Sequence, residues 1–107
     1  MTCDDKQHEQ MNVFARIVNE ILRQESVHPT DHIGHDRWGN ADRLAILTAE
    51  VGEVASEVTG GLAGDVKIWA VDSAREHLVE ELVQVAACAV AWISALEHPY
   101  YAHRSGG

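Results

Sequence analysis

The chain has 107 residues, 46% of them apolar, which is enough for one domain with a core and too apolar for a disordered segment. Its 17 acidic and 8 basic residues give a formal net charge of −9, which argues against nucleic acid as a partner, because phosphate backbones are bound by clustered Lys and Arg. A small phosphate-bearing ligand is not excluded, since divalent cations can bridge two negative partners.

The first predicted element is a helix over about residues 6–25. Apolar side chains recur there at intervals of three and four, as on one face of an amphipathic helix: Met11, Phe14, Ile17, Val18, Ile21 and Leu22. The stretch that follows, SVHPTDHIGHDRWGN, contains a proline and two glycines, and we expect an irregular loop there.

The second helix is predicted to begin near Asn40, a favourable N-cap residue with Asp42 in the first turn. It should end at TGG, residues 59–61, because glycine commonly stops a helix. Its core-facing side is predicted from an apolar stripe: Leu44, Leu47, Val51, Val54 and Val58.

The third helix is predicted from a capping box, Ser73 with Glu76, to about Glu97, ahead of Pro99. Over residues 85–96 it reads VAACAVAWISAL, which is apolar on every side except for one serine. Such a helix has to be buried all round, and two other helices of this length cannot easily surround it. We therefore expect a homodimer or homotetramer in which a second subunit covers one side.

These elements predict an all-α fold, a bundle of three long helices with antiparallel neighbours that is completed by oligomerisation. Residues 62–72 fit a short helix or an irregular turn equally well. We expect a single domain over residues 1–107, with a core at about 6–97 and a polar tail at 98–107.

Sequence features also predict the compartment. The N-terminus MTCDDKQHEQ is polar and acidic, unlike a signal peptide. The longest unbroken apolar run, Val85 to Ile93, is far shorter than the roughly 20 residues of a membrane-spanning helix. Two cysteines cannot build a disulfide framework. We therefore expect a soluble, cytoplasmic protein with no membrane and no nucleic acid as partners.

Oxygen-bearing side chains lie on two different helices. Glu50, Glu53 and Glu57 recur at intervals of three and four beside the apolar stripe of the second helix, where like charges repel. The third helix carries its own set just before its apolar run: Glu76, Glu80, Glu81 and Gln84. If the two helices pack antiparallel, these sets face each other across a groove and offer the oxygen ligands that Mg²⁺ prefers. A solvated acidic face is the alternative explanation.

Two stretches, LAILTAEVGEVASEV and HLVEELVQVAACAVAWISAL, resemble the MazG-type all-α nucleoside triphosphate pyrophosphohydrolases, which are related to the dimeric dUTPases. That family carries E-x-x-E on one helix and E-x-x-D on the next. The stretch DRWGNADRLAILTAEVGEVA is similar to short, phage-like members, which often have Trp-Gly or Phe-Gly before the first acidic helix. The resemblance covers about residues 36–97.

The resemblance implies that Glu50, Glu53 and Glu81 are both Mg²⁺ ligands and catalytic residues. The aspartate position of the second motif falls on Gln84, whose amide oxygen can coordinate Mg²⁺ but leaves the site one negative charge short. Two further glutamates lie within one helical turn of a motif residue and could supply the missing carboxylate: Glu80 and Glu57.

The implied activity is hydrolysis of the anhydride between the α- and β-phosphates of a nucleoside or deoxynucleoside triphosphate, giving the monophosphate and pyrophosphate. Mg²⁺, or Mn²⁺ in its place, would neutralise the triphosphate and lower the pKa of the attacking water. Four side chains near the acidic helices are candidates for substrate binding: Trp38, Arg43, Lys67 and Arg75. Trp38 could instead close the loop onto the bundle, and each basic residue could be a surface charge.

Two alternatives to an active enzyme stay open. One is a non-catalytic module of the same family that binds nucleotides or metal without turnover. The other is a purely structural oligomeric bundle whose glutamates are solvated.

Overall fold

The computed structural model describes residues 3–59 and 72–98, which form three α-helices: α1 (Cys3–Val27), α2 (Asn40–Thr59) and α3 (Asp72–Glu97). Neither described range contains a strand. The predicted all-α class is therefore confirmed, and the three predicted helices begin and end close to the observed ones. The predictions for the segment 62–72, for Lys67 and for the polar tail after residue 98 lie outside the described residues, apart from Asp72 as the first residue of α3.

α3 is the central helix, because it packs against both α1 and α2. It runs antiparallel to α2, as expected from the sequence. At the start of α2, Asn40 Oδ1 accepts a hydrogen bond from Trp92 Nε1, near the end of α3, at 3.0 Å. At the end of α2, Glu57 Oε1 lies 2.7 Å from His77 Nδ1, near the start of α3. This register decides which side chains of the two helices meet.

α1 runs parallel to α3, unlike the antiparallel neighbours that the sequence analysis expected. Arg16, near the middle of α1, lines a space with Glu76 in the first half of α3. Ile21, further along α1, packs against the core cluster at Ala91 in the second half of α3. Both helices therefore advance in the same direction.

The core of the described residues is small. Ile33, Cys88 and Ala91 form a buried cluster, with Ile21, Ile46 and Leu47 half-buried around it. Three alanines of α3 are buried: Ala87, Ala91 and Ala95. Their small side chains let the flanking helices approach the backbone of α3 closely. Burial raises the pKa of the Cys88 thiol to about 11, so this cysteine is an uncharged core residue.

Much of the predicted core surface is exposed in the single chain. On the side of α3 away from its buried alanines, four large apolar residues are 43–59% exposed: Leu82, Val90, Ile93 and Leu96. The predicted stripe of α1 is exposed over Met11, Phe14, Val18 and Leu22, and that of α2 over Leu44, Val51 and Val58. Within the described residues, α3 is therefore covered on one side only.

α3 also satisfies the length and composition expected of a membrane-crossing helix. Its segment Ser73–Glu97 includes an 18-residue window with a mean hydropathy of 1.6. This is weak evidence for a membrane, because the core helix of a soluble protein can have the same composition.

A buried arginine holds the loop between α1 and α2. Arg43 is 6% exposed, its Nε donates to the Ile33 carbonyl at 2.8 Å, and its Nη2 donates to the His35 carbonyl at 3.0 Å. The guanidinium therefore satisfies the Ile33 carbonyl and adds a second hydrogen bond at the His35 carbonyl, which also accepts from the Trp38 N–H at 3.2 Å. This contact fixes the irregular loop, residues 28–39, against the start of α2.

Candidate metal centre

Three carboxylates come together where α2 faces α3. One oxygen each of Glu50, Glu53 and Glu81 lies within 4.8 Å of the others. α2 places Glu50 and Glu53 on one face because they are three residues apart, and the antiparallel packing of α3 brings Glu81 to that face. The structure thus brings together the three glutamates that the sequence analysis selected as catalytic residues.

Two of these carboxylates have an oxygen with no partner among the described residues. Glu50 Oε2 and Glu81 Oε2 are buried and make no hydrogen bond to residues 3–59 or 72–98, and the Glu81 side chain is only 15% exposed. Burial raises the pKa of Glu50, and the charges of Glu53 and Glu81 raise it further. Burial also raises the pKa of Glu81, and the hydrogen bond with Glu53 raises it further. A hard divalent cation fits this donor set, because it would neutralise the clustered charge and accept the unpartnered oxygens.

Gln84 lies beside the cluster. It lines a cavity of about 210 Å³ together with Glu50 from α2 and Arg23 from the end of α1. The cavity has an apolar side that includes Ile33 and Cys88. Gln84 is therefore close to Glu50, and its role as a metal ligand stays a prediction.

The two substitute ligands considered from the sequence have other neighbours. Glu57 Oε1 and His77 Nδ1 are hydrogen-bonded at 2.7 Å. The other ring nitrogen, His77 Nε2, lies 3.7 Å from Glu81 Oε1. The hydrogen bond to Glu57 is the main cause that raises the pKa of His77. Glu80 lines the space between α1 and α3 and is not one of the three clustered glutamates. The role of either glutamate as a metal ligand stays a prediction.

The three predicted substrate-binding residues within the described ranges do not lie together. Trp38 Nε1 donates to the Asp31 carbonyl at 3.3 Å, and the Arg37 guanidinium lies 4.6 Å from the centre of its ring. One face of the indole is therefore covered, which favours the loop-closing role over base stacking. Arg43 is occupied by backbone carbonyls, and Arg75 lines a space with Arg16 at the edge of α1 and α3.

Sequence reasoning missed the contribution of α1. Arg23 pairs with Glu20 through Nε at 3.0 Å and Nη2 at 2.7 Å, and Gln24 Nε2 donates to Glu20 at 2.9 Å. The Arg23 hydrogen bond is the largest cause that lowers the pKa of Glu20, and the Glu20 charge in turn contributes to raising the pKa of Glu50. The available signal was that Glu20 follows Ile17 by three residues and so shares its half-buried face.

Comparisons with known proteins give no family for this chain: no family model, no curated protein and no solved structure matches it.

Proposed function

We propose that the protein is a Mg²⁺-dependent nucleotide pyrophosphohydrolase of the MazG-like type, which cleaves nucleoside or deoxynucleoside triphosphates between the α- and β-phosphates. The observation that carries this proposal is the cluster of Glu50, Glu53 and Glu81, with two buried oxygens that no group among the described residues satisfies. The sequence resemblance over residues 36–97 supports the same three residues. Mn²⁺ is the expected substitute for Mg²⁺.

In this proposal each side chain has a limited task. Glu50, Glu53 and Glu81 hold the cation, with Gln84 as a neutral fourth ligand. Once bound, the cation neutralises the polyphosphate and lowers the pKa of the attacking water. The cavity beside Glu50 has an apolar side and a polar side with Gln24, His28 and Asp31, a combination that suits a nucleoside.

A hydrolysis assay tests the proposal. Purified protein with Mg²⁺ or Mn²⁺ is incubated with a panel of common and damaged nucleoside triphosphates, and the products are separated. We expect pyrophosphate and the monophosphate, and a loss of at least about 100-fold in kcat/KM for Glu53→Gln. Glu97→Gln, an exposed glutamate at the end of α3, is the matched control and should keep full activity. No pyrophosphate from any nucleotide would refute the proposal.

Gln84 favours one alternative, a module that binds nucleotides without turnover. A neutral side chain at that position removes one charge from the site. In that case calorimetry would detect nucleotide binding by the wild type without hydrolysis, and Gln84→Asp would restore turnover. A purely structural bundle would instead show no change in metal binding for Glu53→Ala.

We further propose that the working form is a cytoplasmic homodimer or homotetramer without membrane or nucleic acid partners. Exposed apolar residues on all three helices support the oligomer, because a soluble monomer rarely exposes so many large apolar side chains.

A further inference from the structure

A groove between α1 and α3 leads away from the candidate metal centre. Its volume is about 420 Å³, with Arg16, Asn19 and Arg23 on the α1 side and Glu80 and Gln84 on the α3 side. Arg23 and Gln84 also line the 210 Å³ cavity that reaches Glu50. The two spaces are therefore neighbours that meet at Arg23 and Gln84, next to the clustered glutamates.

Three basic side chains lie along this groove and its extension, together with three acidic ones, Glu20, Glu76 and Glu80. The described ranges contain six lysines and arginines: Lys6, Arg16, Arg23, Arg37, Arg43 and Arg75. Arg16 and Arg23 line the groove, and Arg16 with Arg75 lines its extension beside Glu76 and Glu80. Half of the described basic residues of a chain with net charge −9 thus lie on one surface.

The two groove arginines have donors available for a ligand. Among the described residues Arg16 has no ion-pair partner. Arg23 uses Nε and Nη2 to bind Glu20, so its Nη1 makes no hydrogen bond within the described part of the chain. The Arg23–Glu20 pair also neutralises one of the two acidic groups in the groove and orients the guanidinium.

We propose that this groove binds the β- and γ-phosphates of the substrate, with Arg16 and Arg23 as their ligands. The inference rests on the proposed function, which puts the α-phosphate at the clustered glutamates. From there the rest of the substrate can extend into two spaces. The cavity with Ile33 and Cys88 suits the nucleoside, and the groove with the arginines suits the phosphates, which arginine binds through paired N–H donors.

This orientation places the leaving group in the groove. The water oxygen bonds to the α-phosphorus while the bond from that phosphorus to the bridging oxygen breaks. Pyrophosphate departs with the bridging oxygen and the electron pair, and one proton from the water is released to solvent. Arg16 and Arg23 bind the β- and γ-phosphates in the substrate and in the departing pyrophosphate alike, so they are specificity-determining residues for the polyphosphate chain.

Inorganic tripolyphosphate with Mg²⁺ is the direct probe of the groove, because it has no nucleoside. Calorimetry should show that Arg16→Gln and Arg23→Gln each weaken its binding by about tenfold. Arg16→Lys keeps the positive charge without the paired N–H donors, so its affinity for tripolyphosphate should fall less than that of Arg16→Gln. Lys6→Gln, which removes an equal charge from α1 outside the groove, should bind as the wild type does. In hydrolysis assays the arginine variants should raise KM more than they lower kcat.

The outcomes separate this inference from the proposed function. Wild-type binding of tripolyphosphate that both arginine variants weaken supports the groove, even if no nucleotide is hydrolysed and the proposed activity fails. Arginine variants that match Lys6→Gln in binding and KM overturn the groove while leaving the activity standing. Absence of wild-type binding also overturns it. If circular dichroism shows that Arg23→Gln is unfolded, Arg16→Gln decides, because that side chain makes no ion pair within the described residues.

Discussion

At the residue scale, the unpartnered oxygens of Glu50 and Glu81 are the least favourable feature of the described structure. A buried polar group without a partner costs about 1–3 kcal/mol, and more when it is charged. His77 reduces this cost only in part, because its Nε2 lies 3.7 Å from Glu81 Oε1 and it bonds more closely to Glu57. A bound cation would offset this cost, because it would neutralise the charges of Glu50 and Glu81 and coordinate their unpartnered oxygens.

Glu50→Gln should make the metal-free protein less sensitive to pH. The pKa of Glu50 is raised above its usual 4.5, so its contribution to stability is complete below about pH 4.5 and is lost as the pH rises through the raised pKa. The free energy of unfolding of the variant, relative to the wild type, should therefore increase from pH 4.5 towards neutral pH. Urea denaturation in the presence of a chelator measures this difference. A difference that does not change with pH would contradict the electrostatic account.

The same variant should remove the stabilisation by metal. At Mg²⁺ concentrations about ten times Kd, binding should stabilise the wild type by about 1.4 kcal/mol, which corresponds to roughly 6 °C in Tm. Glu50→Gln should show a much smaller shift. Equal shifts in the two proteins would place the bound metal elsewhere.

Helical spacing placed Glu50 and Glu53 on one face of α2 and the resemblance added Glu81, and the structure brings these three carboxylates together. The sequence could not predict that His77 reaches Glu57 or that Glu20 lies near Glu50. Whether His77 reaches Glu57 depends on the axial register of α2 against α3, and whether Glu20 faces Glu50 depends on how α1 packs. Both are tertiary properties that no local pattern contains.

At the element scale, the start of α2 illustrates how a distant contact changes a local prediction. Asn40 was expected to cap the helix, but the Arg43 N–H bonds to the Gly39 carbonyl, so Gly39 takes the N-cap position. The Asp42 carboxylate accepts the Gly39 N–H at 3.1 Å. The Asn40 side chain instead accepts a hydrogen bond from Trp92, 52 residues further along the chain.

Arg43 should be a stabilising residue of the loop rather than a substrate ligand. Arg43→Met removes two hydrogen bonds from a charged donor and takes its Arg43 donor from the Ile33 carbonyl, while the His35 carbonyl keeps the Trp38 N–H, so we expect a loss of about 3 kcal/mol in the free energy of unfolding. Arg37→Met is the control from the same region. Its ion pair with Asp31 is exposed, and we expect a loss of about 1 kcal/mol or less.

Urea denaturation of both variants gives these values. Below its melting temperature Arg43→Met should bind tripolyphosphate as tightly as the wild type. Normal stability combined with weakened phosphate binding would show that Arg43 contacts the substrate instead.

At the scale of the whole molecule, α3 has two different sides. One side packs its alanines against α1 and α2, and the other exposes Leu82, Val90, Ile93 and Leu96. The sequence predicted that α3 needs cover on every side, since its composition is apolar all round. It could not predict which side the chain itself covers, because that depends on the small residues that permit close helix approach.

A second copy of the chain is the expected cover. Replacing both Leu82 and Ile93 by lysine puts two charges on the exposed side of α3 and should convert a dimer or tetramer into a monomer. Size-exclusion chromatography with light scattering measures the mass. Val13→Lys, at an exposed apolar position of α1 off the predicted stripe, is the control and should leave the mass unchanged. A wild-type protein that is already monomeric at micromolar concentration would contradict the proposed oligomer.

The central claim is that Glu50, Glu53 and Glu81 bind a divalent cation. Crystals grown with Mn²⁺ and measured near the manganese absorption edge test it most directly, because anomalous scattering locates the metal independently of the protein atoms. The account predicts an anomalous peak at roughly 2.0–2.3 Å from an oxygen of each of the three glutamates. The same map would show whether Gln84 joins them. No peak at this position, with the three carboxylates apart and hydrated, would contradict the account.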